Sequence, residues 1–501
     1  MKRLILLLIL PSFVIFASSF AAEQRPNVLF IAVDDLRTSL GCYGDTLVKS
    51  PNIDRFAASA RCFDHAYTQQ AVCGPSRTSL LTGRLPDNTR VWHNRNLFRD
   101  TQPDIVTLPQ LFKNHGYRTV SLGKIFSGDE RELDPASWSE PEILKQKGWK
   151  NSVLGDSGGE GKGAAWEAAD VPDEGCPDGK LARLAIEKLT GLQSGGKPFF
   201  LAVGFFKPHL PFNAPKPYWD LYDPATFELK DDSQRVKGIS EHAHHSHREL
   251  GGYRDMPKDE HLDAATTRTL RHGYHACVSY TDAQIGKLLA ALDQLGLAQN
   301  TIVVLWGDHG WSLGEKDRWC KGTNFERDTR VPLLIRTPGL LAPGAAASGL
   351  VELVDVFPTL AELASLPAPQ ELDGRSLVPM LANPQAPGRE SALSQFTRPF
   401  SASTPEFMGY SLRTATHRYT RWITWPARQL VAEELYDYTT GPSTRHEGAF
   451  WIEEENIAAH STQSDTRQAL SQKLDHMLAE RTKVKPEAQP APKKKRKKKQ
   501  P

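Results

Sequence analysis

Five short stretches of this sequence carry candidate chemistry, and four of them set ionic side chains at the ends of apolar runs. Asp34 and Asp35 close "NVLFIAVDD", Asp308 and His309 stand in "TIVVLWGDHG", Lys124 ends "RTVSLGK", and Lys207 and His209 follow "PFFLAVGFF". Two adjacent carboxylates with an Asp-His pair offer mostly hard oxygen ligands, which suits calcium or magnesium better than a transition metal. Lysines at two further loops could hold a tetrahedral polyanion against such a cation. The fifth stretch, "QQAVCGPSRTSLLTGRLP", places Cys73 two residues before Pro75 and four before Arg77. In isolation, an Asp-Asp pair after a strand is a helix cap and a solvated turn. Beside "GDHG" and the Cys73 segment it reads as part of a site.

Those residues need a frame that gathers them. Val28–Val33, "RTVSLGK", "PFFLAVGFFKPH" and "TIVVLWGDHG" are short apolar runs alternating with helical patterns, the grammar of a mostly parallel sheet covered on both faces. In open α/β sheets ligands bind outside the carboxyl ends of the strands, and here four runs end in carboxylates, lysines or histidines. "SPNIDRFAASA" predicts a helix with Ile53, Phe56, Ala57 and Ala60 on one face. "YTDAQIGKLLAALDQLGL" predicts another, with Ile285, Leu288, Leu289, Leu292 and Leu295 aligned. Residues 130–180 and 213–265 read as long polar excursions, the second containing "EHAHHSHRE". That stretch could bind zinc, but without a structured frame it reads as a solvated loop. After "ELDGRSLVPML" the pattern changes. "YSLRTATHRYTRWITW" alternates like an exposed antiparallel strand, "EELYDYTTGP" reads as a strand and turn, and "DTRQALSQKLDHMLAERTK" as a helix.

The expected architecture is therefore α/β: a large mixed, mostly parallel sheet sandwiched by helices, with a smaller C-terminal α+β subdomain. The divisions are a signal peptide at 1–22, a catalytic subdomain at 23–388, the C-terminal subdomain at 389–484 and a disordered basic tail at 485–501. The leader "MKRLILLLILPSFVIFASSFAAEQ" has two early positive charges, an apolar run and small residues at Ser19 and Ala21, as a secretory signal requires. The chain is thus expected to be exported, periplasmic or secreted, with no membrane span. The net charge of +2 includes seven charges from Lys493–Lys499; without them 54 basic residues face 59 acidic ones. This balance predicts no specific nucleic-acid partner. The tail instead suits adhesion to anionic surfaces or solubility. The six cysteines are too widely spaced for a small disulfide scaffold or paired zinc ligands, and allow one or two disulfides.

With those pieces assembled, the chain resembles a type I sulfatase of the alkaline phosphatase superfamily. "CGPSRTSLLTGR" matches the Cys-x-Pro-Ser-Arg signature with its Thr-Gly-Arg. "NVLFIAVDD", "GKIF", "FFKPHLPF" and "DHGWSLGE" with "WCKGTNFERDTRVPLLI" follow in family order. "LAVGFFKPHLPF" and "DHGWSLGE" look most like the iduronate-2-sulfatase branch. The resemblance implies that a maturation enzyme converts Cys73 to formylglycine, an aldehyde that hydrates to a geminal diol. One hydroxyl attacks sulfur, and the other collapses to the aldehyde and expels sulfate, so water never has to attack sulfur. It further implies one calcium ion per chain, held by Asp34, Asp35, Asp308, His309 and the modified Cys73, which polarises sulfate and lowers the pKa of the attacking hydroxyl. Arg77 would hold the formylglycine hydroxyl and the metal carboxylates in place. Lys124 and Lys321 would bind sulfate oxygens, and His209 would protonate the leaving sugar oxygen or bind the ester beside it. The implied substrate is a sulfated carbohydrate, glycosaminoglycan or other polysaccharide fragments. A phosphatase or phosphonate monoester hydrolase of the same superfamily and a low-turnover sulfoglycan-binding relative are the alternatives. Two positions depart from the family. Ser127 stands after "GKIF" where a His, the base for diol collapse, is usual, and Lys316 stands in "LGEKDRW" where a His is common.

Overall fold

The run expected to be a buried strand forms β1 (Asn27–Val33), near the middle of an eight-stranded sheet. The computed structural model describes residues 25–127, 133–143, 163–227, 229, 234–244, 249–258, 262–400, 404–439 and 453–482. The expected signal peptide and basic tail lie outside these residues. The other strands of the sheet are β2 (Arg61–Tyr67), β3 (Arg118–Gly123), β4 (Phe199–Phe205), β5 (Thr301–Gly307), β6 (Arg330–Val331), β7 (Leu333–Arg336) and β8 (Ala346–Glu352). The order is β6-β2-β7-β5-β1-β4-β3, with β8 also on β2. Strands β1, β3, β4 and β5 pair in parallel, as does β8 with β2, while β6 and β7 run antiparallel to their neighbours.

Every residue of β1 is buried. Leu29, Ile31 and Val33 face the helices Pro51–Ala57, Pro177–Ser194 and Ala264–Gln294, and Val28, Phe30 and Ala32 face Cys73–Thr82, Leu108–Asn114 and Val356–Leu363. A strand covered on both faces needs apolar residues at every position, which is why it reads as an unbroken run rather than an alternation. Across three adjacent strands, Phe30 packs between Phe200 and Trp306, with ring centroids 5.6 and 5.5 Å apart. The helix expected from Tyr280 onward is longer than its amphipathic signal and spans Ala264–Gln294. Among the described residues, no helix is long and apolar enough to cross a membrane. No disulfide joins the six cysteines.

The C-terminal unit is a four-stranded antiparallel meander, Ser391–Arg398, Phe407–Thr414, His417–Thr424 and Leu430–Asp437, with the helix Ser464–Arg481 against one face. The stretch "YSLRTATHRYTRWITW" is therefore two strands and a turn, not one exposed strand. Its polar face is not solvated either. Arg413 and Arg418 are buried against the body of the large sheet, where Glu326 accepts from Arg413 Nε at 3.1 Å, Arg418 Nη2 at 2.6 Å and the Tyr67 hydroxyl at 2.9 Å. A second link, from the helix, is Arg481, which donates to both carboxylate oxygens of Glu352.

Burial alone would raise the carboxyl of Glu326, but Arg413 and Arg418 outweigh it and bring the group from 4.5 to about 2. A depressed folded value means that its contribution is present above 4.5 and is lost as pH falls toward 2. Glu326→Gln should therefore cost about 3 kcal/mol at pH 7, with the deficit shrinking below pH 4, as read from denaturant unfolding across that range.

Candidate active site

Register brings the strand ends together. Val33 of β1 pairs with Gly307 of β5 and with Phe205 of β4, so Asp34 and Asp308 emerge side by side. Gly123 of β3 pairs with Gly204 of β4, which carries Lys124 to the same edge. These two glycines are required by the close approach: a Cβ on Gly204 would lie 2.0 Å from the Lys124 carbonyl oxygen, and one on Gly123 2.2 Å from that of Gly204. Asp35 then turns into the left-handed region (φ 58°), which Asp tolerates better than most residues. Its N–H donates to Asp308 Oδ1 at 3.0 Å, and its carbonyl accepts from the Tyr274 hydroxyl at 2.9 Å.

Cys73 is the first residue of a fully buried helix, Cys73–Thr82. Four residues on, Arg77 lies on the same helical face. The helix is locked to β5 by the remaining signature residues. Ser76 Oγ donates to the Asp308 carbonyl, Arg77 Nε to Asp308 Oδ2 at 2.8 Å, and Arg77 Nη2 to Asp34 Oδ1 at 3.2 Å. Arg77 Nη1 donates to the carbonyls of Lys124 and Ile125, tying in the third strand end. The Cys73 sulfur sits 3.6 Å from Asp34 Oδ1, 3.3 Å from His309 Nε2 and 3.3 Å from Lys124 Nζ. Burial, with the charge of Asp34 next, pushes its thiol up to about 12. As a thiol it is a poor nucleophile at neutral pH.

A second cation, Lys321, donates to Asp35 Oδ1 and Oδ2 at 3.0 and 3.1 Å and lies over the Trp311 ring. His209 stands beside it, with Nε2 3.8 Å from Asp35 Oδ2; burial, then Lys321, pulls its imidazole down to about 4. Its Nδ1 bonds the Leu210 carbonyl and is therefore the protonated nitrogen, leaving Nε2 toward the cleft. Lys124 Nζ donates to Asp34 Oδ2 at 2.5 Å.

Asp34, Asp35, Asp308, His309, Cys73, Arg77, Lys124, Lys321 and His209 thus converge at one edge of the sheet. The donor set fits a hard divalent cation. Ligand atoms within 4.8 Å of one another form three overlapping groups, Asp35–Cys73–His309, Asp34–Cys73–Asp308 and Asp34–Asp35–His209. His309 Nδ1 bonds the Gly310 carbonyl at 2.9 Å, which turns the Nε2 lone pair inward. Burial drives Asp35 well above the carboxylate range, opposed by Lys321 and reinforced by Asp34. A bound cation would keep that carboxylate ionised.

Three stretches singled out in the sequence take other places in this geometry. Lys207 is not at the site: its ammonium donates to the carbonyls of His209 and Pro211, so it braces the loop that carries His209. Lys316 pairs with Glu454 at 2.5 Å, across to the C-terminal unit. Glu241 of "EHAHHSHRE" is exposed, but His242 and Glu249 are packed rather than solvated. His242 packs on Phe407 with centroids 4.4 Å apart, and the Glu249 carboxylate reaches His209 and Lys321, while His245–Arg248 lie outside the described residues. Glu249 carries no motif signal, because nothing in its flanking residues marks it as facing a strand end. Ser127, half-buried, closes the described part of the loop after Lys124.

A family model described as sulfatase matches residues 26–366, and one described as N-sulphoglucosamine sulphohydrolase, C-terminal, matches 307–480. The chain is 35% identical to a Homo sapiens protein named iduronate 2-sulfatase, over 84% of this chain and 90% of that one. The fold is shared with the phosphonate monoester hydrolase of Agrobacterium radiobacter (TM-score 0.72, 22% identity, 91% of this chain and 96% of that one). It is also shared with a protein solved in complex with its substrate D-glucosamine-2-N,6-O-disulfate (TM-score 0.69, 23% identity, 92% and 99%).

Arg77→Met should leave Asp34 and Asp308 buried without their shared counter-charge. A loss of about 3–5 kcal/mol is expected in denaturant unfolding of the metal-free protein.

Proposed function

The chain belongs to the sulfatase family, close to its iduronate-2-sulfatase branch, and is a sulfuric ester hydrolase; from that premise we propose a calcium-dependent enzyme that uses Cys73 as formylglycine to remove sulfate from a sulfated carbohydrate. The single observation that supports this reading most is the convergence on Cys73. The sulfur of an inert, buried thiol lies within 3.6 Å of a carboxylate, an imidazole and an ammonium. Burial that pushes the thiol up to about 12 leaves it a poor nucleophile as cysteine, whereas the same position suits a modified nucleophile.

Asp34, Asp35, Asp308 and His309, with the side chain at position 73, would hold calcium, which when bound supplies charge neutralisation for sulfate and a more acidic attacking hydroxyl. Formylglycine, once formed, supplies a hydroxyl nucleophile and a route to release sulfate without attack of water on sulfur. The rest is done by the chain's own residues. Arg77 fixes Asp34 and Asp308 from the buried side, so that neither can swing toward a ligand unaided. Lys124 donates to Asp34 and Lys321 to Asp35. Near a bound anionic ester their charge would oppose the charge growing on its oxygens. His209 Nε2 is positioned to meet the bridging oxygen; the negative charge of a bound ester favours the protonated ring that can donate there. Trp311 and the surrounding burial exclude water from Lys321 and His209, which strengthens each of these contacts.

Mass spectrometry of the Cys73 peptide, from a host with the maturation enzyme, should show a residue that has lost its sulfur and gained a hydrazine-reactive carbonyl. Thiol throughout would overturn the mechanism. Chelation of calcium should abolish turnover of 4-nitrophenyl sulfate and readdition restore it. In a parallel assay 4-nitrophenyl sulfate should be preferred to 4-nitrophenyl phosphate, and the reverse preference would favour the phosphatase or phosphonate-ester reading.

A further inference from the structure

The His-rich stretch Glu241–Glu249 ends on a carboxylate that the catalytic scheme leaves unused. Glu249 Oε1 lies 3.2 Å from His209 Nε2, and its Oε2 lies 3.1 Å from Lys321 Nζ. One carboxylate therefore spans two residues of the ester-binding side, each oxygen serving one partner. Asp35 faces the same pair from the buried side, 3.0 Å from Lys321 Nζ and 3.8 Å from His209 Nε2. Lys321 and His209 are thus held between two carboxylates. The solvent-side member is Glu249: its side chain is 23% exposed, against 4% for Lys321 and 7% for His209. Its backbone is anchored at the start of a turn, Leu250–Gly252, next to the buried Leu250 and Tyr253.

We propose that Glu249 is a positioning residue of the sulfuric-ester site, clamping Lys321 and His209 at a fixed separation so that both meet the bridging oxygen of the ester. This rests on the sulfatase reading above. The physical need is clear from the two side chains. Lysine carries its charge on a flexible four-carbon stem, and with Asp35 as its sole anion Lys321 would settle onto the metal-side carboxylate. The imidazole of His209 is tethered at Nδ1 by a backbone carbonyl, which leaves rotation about that tether. Glu249 Oε2 accepts from the Lys321 ammonium and removes the first freedom; its Oε1 faces His209 Nε2, which can donate to it once the ring is protonated at an occupied site, so less ordering of both groups remains for the reaction.

The test is a leaving-group series on the full-length, matured, calcium-loaded enzyme, using 4-nitrophenyl, 4-chlorophenyl and phenyl sulfate. Nitrophenolate leaves without help, whereas the poorer leaving groups depend on a donor at the bridging oxygen. In Glu249→Ala, kcat/KM for phenyl sulfate should fall about 30-fold or more while that for 4-nitrophenyl sulfate falls less than about 3-fold. The loss should lie in kcat rather than KM. Glu249→Gln keeps the shape without the charge and guards against a variant that fails to fold; it should follow Ala in slope, and Glu249→Asp should recover part of the phenyl sulfate rate. An equal loss on all three esters, or none, would overturn the role of Glu249 while the sulfatase reading stands. A matured, calcium-loaded wild type that releases sulfate neither from these esters nor from a sulfated disaccharide would overturn the proposed mechanism along with the role of Glu249.

Discussion

Arg77 lies between the carboxylates of Asp34 and Asp308, wholly buried, and the rest of the site depends on that contact. The two aspartates end adjacent parallel strands, so their separation is set by the sheet and cannot relax. Buried carboxylates so close repel one another and resist desolvation, and only a fixed cation of matching shape can hold both ionised. Guanidinium does this with separate nitrogens for each carboxylate and still donates to two carbonyls of the third strand end. Because Arg77 is one turn from Cys73, the same contact that reconciles the carboxylates also places the sulfur in front of them.

Around this point the site is layered by charge. Lys124 answers Asp34, Lys321 answers Asp35, and Glu249 answers Lys321 and His209 from the solvent side. Alternating sign lets many ionic groups be buried together without a large uncompensated charge. The C-terminal unit follows the same rule. Its meander presents Arg413 and Arg418 to Glu326, a few residues beyond Lys321, and packs Phe396, Trp422 and Tyr436 near Ala71 and Val72, just before Cys73. The second domain therefore buttresses both the Cys73 helix and the Lys321 loop.

Strands β1, β4 and β5 and their terminal residues were legible because a doubly covered strand is apolar nearly throughout, and a polar residue that ends it stands out. The Cys73–Arg77 motif was legible as a signature, whereas the helix that sets the two residues one turn apart was seen only in the structure. β2 was not legible, because "RCFDHAY" carries Arg61, Asp64 and His65, which mimic a surface segment. Arg61 is nevertheless buried, its guanidinium capped by the carbonyls of Leu341, Ala342, Ala345, Met380 and Leu381. Carbonyl partners from distant segments leave no mark in the local pattern. The same holds for the inward face of the C-terminal meander, whose arginines look solvent-bound until Glu326 is set beside them.

Local chemistry along the chain determined which side chains would be ionic and which runs would be buried. Each follows from the periodicity and desolvation cost of a short segment. Tertiary structure alone decided the pairings: Asp34 with Asp308 through strand register, Lys207 with backbone rather than site, Lys316 with Glu454, and Glu249 with Lys321 and His209. A charge's partner is fixed by distances of a few ångströms between segments far apart in sequence, and no property of either segment by itself encodes that distance.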